Sequence, residues 1–444
     1  MRVLLVSGNR ERQPQPVVPL GLAYVAAAVR PRHDVAALDL CWEADPRAAL
    51  ARAVADFRPD VVGLAVRNLD SNSYTGRASI LDGYAAYVGV LRDATPAPIV
   101  LGGTGFSLQP RALVDRLRPD HGVVGEGERL FPWLLDRIAA GDRPPQIVRA
   151  GADGAPGAVR LDDLAPPARD LVDLRHFEGN GGTDGIQTKR GCAFSCSYCD
   201  YPDLEGRTVR MRDPEAVADE FAERAAAPGV RCIFVVDSVF NAPPRHAEAV
   251  CRALVRRGTD IPWVCYATPA GLSENLVAAM AEAGCVGIEI GADSGTEEGL
   301  RRLNKPFRLA DIETAHSRLA AHGIRDCHTY VLGGYGETLD DVRRTLGHVE
   351  RVDPDVAVFM VFQEQREDVG PSVACLRAGI LDLVGREAAA HPGWSVPEIG
   401  VRTGDGLLIP GRGRVPAGPS WLLLARLRRV APWLADAESP PVDA

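Results

Sequence analysis

The feature that most constrains this chain is a repeated alternation. A short apolar run is followed by a turn, then an amphipathic stretch of helical period, then another apolar run. RVLLVSG (2–8), VAALDL (35–40), DVVGLAV (60–66), PIVLGG (98–103) and GVV (122–124) read as strands. Between them, residues 19–30, 46–57, 80–91 and 110–117 carry helical periodicity, and RLFPWLLDRIAA follows the last strand. Pro19 opens the first helix, and Asp45 is placed to cap the second. Strands this apolar, separated by helices, require a parallel sheet covered on both faces. Residues 1–140 are therefore expected to form a doubly wound, Rossmann-like α/β domain, which binds ligands beyond the carboxyl ends of its strands.

Short polar and glycine-rich segments stand at those ends. Ser7 ends the first strand. Arg67, Asn68 and Asp70 follow the third. Gly102, Gly103, Thr104, Phe106 and Ser107 follow the fourth, and Gly125, Glu126 and Gly127 the last. Glycine lets backbone approach a ligand closely, and polar neighbours can bond to it. The same residues also make ordinary turns, and the sequence alone leaves both readings open. The spacing is not GxGxxG, so no dinucleotide site is indicated.

Residues 141–184 are rich in Pro, Gly and Asp with weak periodicity, and read as a linker with room for one short hairpin. The alternation then resumes. Strands are expected at 185–191, 231–241, 262–268, 286–295, 325–337 and 357–365, with helices at 214–227, 244–258, 274–284, 309–323 and 338–351. Six strand–helix steps between residues 185 and 365 point to a partial (β/α)6 TIM-type barrel, with chemistry at the carboxyl ends of its strands. Residues 366–444 read as a small C-terminal cap and tail.

The first of these barrel strands runs into RGCAFSCSYCDY, where Cys192, Cys196 and Cys199 stand in CxxxCxxC spacing. The chain holds ten cysteines in 444 residues, too few for a disulfide-stapled scaffold. MRVLLVSGNR lacks the features of a secretory signal, and no apolar run reaches the ~18 residues of a membrane span. A reducing, cytoplasmic setting is expected, where clustered thiols mean a metal or redox site. Three thiolates hold three irons of a 4Fe–4S cubane and leave the fourth iron open. A structural zinc site normally takes four ligands from paired knuckles, and no second knuckle follows. A net charge of -9 gives no basic footprint for nucleic acid.

On these residues the chain resembles a family, the radical S-adenosylmethionine enzymes. CxxxCxxC with an aromatic before the third cysteine, here Tyr198, is similar to that family's cluster loop, and the likeness extends over residues 185–365. The resemblance implies a 4Fe–4S cluster that binds and reductively cleaves S-adenosylmethionine, and an electron donor such as flavodoxin or ferredoxin. It further implies cofactor roles for Asp237 and Asn241 near the methionine part, for Glu289 near the ribose, and for Gly333 and Gly334 in a late glycine turn.

The order of domains is similar to the cobalamin-dependent (B12-binding domain) class of that family, in segments such as IVLGGTGFSLQP and GVVGEGE. This resemblance implies cobalamin in the first domain, its tail entering near GGTGFS and GEGE. DxHxxG is absent, so no lower histidine ligand to cobalt is expected. Arg67 then lies against the corrin face, or pairs with Asp70 or a propionamide. The implied activity is methylation of a carbon of a small metabolite or peptide. The alternative is a radical rearrangement, cyclisation or dehydration without methyl transfer. Methylthiotransferases are less similar, because their first domain holds a second cluster on three cysteines and this one has only Cys41. Tyr266, His328, Tyr330, Tyr335 and Glu364, at or near strand ends, are expected to line the barrel mouth. His328, Tyr330 and Glu364 are the catalytic candidates. Neither a nucleic acid nor a membrane partner is expected.

Overall fold

Six strands build the first sheet: β1 (Arg2–Ser7), β2 (Asp34–Asp39), β3 (Val61–Ala65), β4 (Ile99–Gly102), β5 (His121–Val124) and β6 (Ile147–Arg149). They lie in the order β2-β1-β3-β4-β5-β6, every pair parallel. The computed structural model describes residues 1–12, 16–70, 80–178, 180, 182–334, 336–362, 371–391, 393–395, 419, 421–422 and 425. Side chains alternate between the two faces of each strand. Leu4, Val6, Val62 and Leu64 join one apolar core, and Val3, Leu5, Val61 and Val100 the other. Asp45 caps the helix Pro46–Phe57 by accepting the amide hydrogens of Arg47 and Ala48.

The stretch read as a linker contributes β6, and its Ala155 and Ala168 enter the second of those cores. Arg169 and Asp184 form a buried ion pair at 3.1 Å. A three-residue strand between proline-rich turns is too short to show a period, which is why the sequence does not reveal it.

The chain next forms β7 (Asp184–Ile186) and the antiparallel ribbon of β8 (Lys189–Arg190) with β9 (Arg210–Met211). The remaining strands are β10 (Ile233–Val235), β11 (Trp263–Ala267), β12 (Cys285–Asp293), β13 (Arg325–Leu332), β14 (Val356–Val361) and β15 (Trp394–Ser395). They make a second sheet in the order β15-β14-β13-β12-β11-β10-β7. The pairs from β10 to β15 are all parallel. This is the open βα barrel, with a short seventh strand supplied by the stretch read as cap. The chain divides into two compact units. The first holds Met1–Gly185, Lys189–Ala193 and Asp200–Asp213; the second holds Ile186–Thr188, Phe194–Cys199 and the residues from Pro214 on.

Alternation gives the barrel strands two distinct faces. Trp263 packs edge-on against Phe221 of the helix Pro214–Ala226. Its neighbour Val264 faces the other way, into a cluster with Cys232, Phe234, Cys327, Val356, Trp421, Leu422 and Ala425. A short late segment thus fills the bore at the amino ends of the strands. Gly287 leaves it room, since a Cβ there would lie 2.6 Å from the Trp421 ring. Among the described residues, no helix is long and apolar enough to cross a membrane.

Candidate functional site

The order of the first sheet reverses between β1 and β3, so its crevice opens at their carboxyl ends. Ser7 is buried there beside Asp39, to which its hydroxyl is bonded. The Arg67 amide donates to the Tyr84 hydroxyl at 3.3 Å, and burial pushes the Tyr84 phenol well above its ordinary pKa. The exposed Arg67 guanidinium donates to Asn68 Oδ1 at 2.9 Å. Asp70 ends the described part of this loop.

Gly102 closes β4 opposite Ala65. Gly103 has φ +94, and a Cβ there would lie 2.6 Å from the Val66 carbonyl oxygen. Thr104 Oγ1 donates to the Arg67 carbonyl at 3.1 Å. Ser107 Oγ donates to the Gly103 carbonyl and accepts the Gly125 amide hydrogen, each at 2.9 Å. These bonds stitch together the loops that follow β3, β4 and β5. Gly125 itself, at φ +87, has no atom of the described residues beyond its two chain neighbours within 4 Å of the place a Cβ would take. The result is a glycine-floored cradle with an exposed cation beside it, which fits a large, polar-edged cofactor such as cobalamin.

Three residues expected at this cofactor edge are committed elsewhere. Phe106 is fully buried, its ring filling the space above Gly122. Glu126 accepts from Arg190 at 3.1 Å, from Arg210 at 2.8 Å and from the Val159 amide at 3.0 Å. Burial alone would raise its pKa, but those donors outweigh it and hold the carboxyl below its ordinary value. Gly127 lets its helix approach Val25, where a Cβ would lie at 2.8 Å.

The cysteine loop is pinned at many points. In the first unit, Gly191 has φ +96, and a Cβ there would meet the Thr208 carbonyl oxygen at 2.3 Å. The Cys192 amide donates to the Gly206 carbonyl at 3.0 Å. In the second unit, the Cys199 amide donates to the Cys196 carbonyl at 3.2 Å. The turn 302–305 braces the residues around these two cysteines. Ser197 donates from its amide to Leu303 O and from its hydroxyl to Arg302 O, both at 3.1 Å. Asn304 Nδ2 donates to Ser195 O at 2.8 Å. The Tyr198 hydroxyl donates to Asp293 at 2.9 Å, and Lys305 pairs with the same carboxylate. The Lys305 ammonium also donates to the Tyr198 hydroxyl at 3.4 Å and attracts Cys196 electrostatically. All three motif cysteines are unbridged. This donor set fits a thiolate-ligated cluster.

Asp293 and Lys305 are the residues that sequence reasoning missed. A signal was available, because of the 50 Lys and Arg in the chain only Lys189 and Lys305 are lysines.

Asp237 is fully buried and accepts the Thr188 amide at 2.7 Å and its hydroxyl at 2.5 Å, which fixes the chain four residues before Cys192. Asn241 is saturated by backbone. It donates to Thr268 O and Ala270 O and accepts the Thr268 amide hydrogen. Gly333, at φ +85, donates its amide to Glu337, while the Glu337 amide returns to Gly334 O. Burial pushes the Glu337 carboxyl up to about 7. Glu289 is half-buried in the bore and accepts the Trp421 indole N–H at 2.7 Å. Desolvation pushes its carboxyl up to about 7.

His328 and Tyr330 do not line the barrel mouth. Their neighbour Cys327 packs against Trp421 in the bore, so alternation turns both of them outward. His328 is fully buried and bonded to Asp326 at 2.9 Å, which also holds His316 of the helix Leu309–Ala321 at 2.7 Å. Tyr330 stacks on Phe359 with ring centroids 5.5 Å apart. The sequence correctly places the two on one face, but it is the helix-facing one. Tyr266 sits on the bore side and is 38% exposed. Glu364 and Tyr335 lie outside the described residues.

Comparison with known proteins bears on both halves. Residues 10–135 match the B12 binding domain, and residues 186–349 match the Radical SAM superfamily. Tryptophan 2-C-methyltransferase of Streptomyces laurentii is 27% identical over 430 residues, spanning 80% of this chain and 71% of that protein. An uncharacterized methyltransferase of Pyrococcus horikoshii is 26% identical over 379 residues, spanning 81% of this chain and 80% of its own. The solved structure of the radical S-adenosylmethionine methyltransferase TsrM from Kitasatospora setae, with cobalamin and a 4Fe–4S cluster bound, superposes with a TM-score of 0.71 at 28% identity. It covers 81% of this chain and 72% of that one.

Proposed function

Because the chain belongs to the cobalamin-dependent radical S-adenosylmethionine methyltransferases, we propose that it methylates a carbon atom of a small metabolite. The observation that carries the reading is the joining of the two domain types in one chain, with likeness to methyltransferases along four fifths of its length.

When bound, the cluster supplies one electron to the sulfonium of S-adenosylmethionine and cobalamin serves as the methyl carrier. In this reading Cys192, Cys196 and Cys199 hold the cluster. Asp237 acts from behind, fixing Thr188 and with it the start of the cysteine loop. Ser7, Arg67, Asn68, Gly102, Gly103, Thr104, Ser107 and Gly125 hold the cobalamin. Gly125 supplies open space, and the Ser107 hydroxyl keeps that space in register with Gly103. Arg67, its guanidinium bonded to Asn68, would offer its positive charge to the bound cobalamin. Electrons come from a flavodoxin- or ferredoxin-type donor.

The test is anaerobic turnover of the reconstituted protein with methyl-deuterated S-adenosylmethionine and a panel of small metabolites that includes tryptophan. The expected result is a product carrying the labelled methyl group, with S-adenosylhomocysteine accumulating. Formation of 5′-deoxyadenosine alone, with no label in any product, would replace methyl transfer by rearrangement, cyclisation or dehydration.

A further inference from the structure

Lys305 and Asp293 form a buried ion pair in the second unit. Their side chains are 8% and 2% exposed. The Tyr198 hydroxyl donates to the same carboxylate, and the ammonium lies 5.4 Å from the ring centroids of both Tyr198 and Phe307. The ammonium also donates to the hydroxyl of Tyr198, which stands between Cys196 and Cys199 in the chain, at 3.4 Å, and it attracts Cys196 electrostatically. Both members of the pair are thus held against the residue between Cys196 and Cys199. Asp293 occupies the left-handed region at φ +60, where only a short polar residue or glycine is tolerated readily. Composition points the same way. In a chain that carries arginine at every other cationic position but one, a lysine is kept here. An ammonium is a compact point charge, whereas a guanidinium spreads its charge over a planar fork.

Resting on the reading of Cys196 as a cluster ligand, we propose that the Lys305–Asp293 pair sets the reduction potential of the 4Fe–4S cluster. Reduction adds one electron, taken from a flavodoxin- or ferredoxin-type donor, and so adds one negative charge to the cluster. A positive charge held against the loop of ligand cysteines stabilises that added charge and raises the potential. Asp293, of opposite charge, partly cancels the effect. Lys305 is thus a positioning residue, acting on the cluster through Cys196. The pair holds the potential at a value the donor can reach without leaving an uncompensated cation beside the cluster.

The two partners make opposite predictions. In Lys305→Met the positive end is lost and a buried carboxylate remains, so the midpoint potential falls. In Asp293→Asn, which suits the backbone at φ +60, the ammonium stands alone and the potential rises. Lys305→Arg keeps the charge and stays nearer to the parent protein than Lys305→Met does. The measurement is a spectroscopic redox titration of anaerobically reconstituted full-length protein, with iron content and the electron paramagnetic resonance signal of the reduced cluster read on the same samples. Shifts of opposite sign support the proposal. Potentials within error of the parent, or shifts of the same sign, overturn it. If Lys305→Met fails to hold iron, the Asp293→Asn and Lys305→Arg potentials decide. Absence of any cluster in the parent protein would instead overturn the reading of the cysteines.

Discussion

Arg190 offers the sharpest test of how the chain presents its cysteines. Its guanidinium is 8% exposed and lies 3.1 Å from Glu126 and 2.6 Å from Glu128, over the ring of Tyr24. Glu128 is 5% exposed. At the effective dielectric of such sites each pair gains roughly 4 kcal/mol, set against a desolvation cost of similar size. Replacing Arg190 by Met does not simply subtract two attractions. Glu126 keeps Arg210 and the Val159 amide, whereas Glu128 is left as a buried, unpaired carboxylate. That condition costs about 3–5 kcal/mol. Hydrogen exchange of the β1, β3 and β4 amides reads the stability of the first unit by itself. Protection there is expected to fall by roughly two to three and a half powers of ten. Adding Glu128→Leu to Arg190→Met removes the stranded charge and should bring stability back to within ~2 kcal/mol of the parent. A loss below about 1 kcal/mol in the single variant, the scale of an exposed pair, would refute the reasoning, as would a double variant weaker than the single.

Further predictions concern the cofactors and the bore. Replacing Cys192, Cys196 or Cys199 by Ala should abolish the visible iron–sulfur absorbance or all S-adenosylmethionine cleavage, as read by spectroscopy and chromatography of each variant. Gly103→Ala, with its Cβ 2.6 Å from the Val66 oxygen, should lower thermal stability as well as cobalamin binding. Gly125→Ala meets open space, so it should weaken cobalamin binding in an equilibrium titration at a stability cost of only about 1–2 kcal/mol. The Glu289 carboxyl binds its proton more tightly folded than unfolded, so the stability it contributes is full below 4.5 and is lost as pH rises towards about 7. Glu289→Gln should flatten that part of the stability–pH curve, measured by denaturant titration. Gly287→Leu should displace Trp421 and lower the melting temperature.

Much of this architecture is legible in the sequence because parallel sheets leave a strong trace. The helices Pro46–Phe57 and Pro110–Leu117 match their expected bounds, and the strands of both sheets fall where apolar runs alternate with helical periods. Short pieces were not legible. The single-turn helix Thr104–Leu108 sits inside a glycine loop, and β15 has two residues. The site divides similarly. Cysteine spacing is local and shows directly, whereas the ion pair of Asp293 and Lys305 joins residues whose partnership exists only after folding. The face of β13 also depends on parity. Alternation groups His328 with Tyr330, but only the packing of Cys327 against Trp421 decides which side is outside.

The bracing of the cysteine loop by the turn 302–305 bears on how the protein is made. Ser197 and Ser195 are held by residues 105 to 109 positions later in the chain. A ribosome that has just delivered Cys199 must add about a hundred more residues before that brace exists, several seconds at ordinary rates of synthesis. Throughout that interval Cys196 and Cys199 emerge on an unbraced segment. Iron–sulfur loading is accordingly a late event in the life of the polypeptide, and truncated or stalled chains should carry reactive cysteines but no cluster.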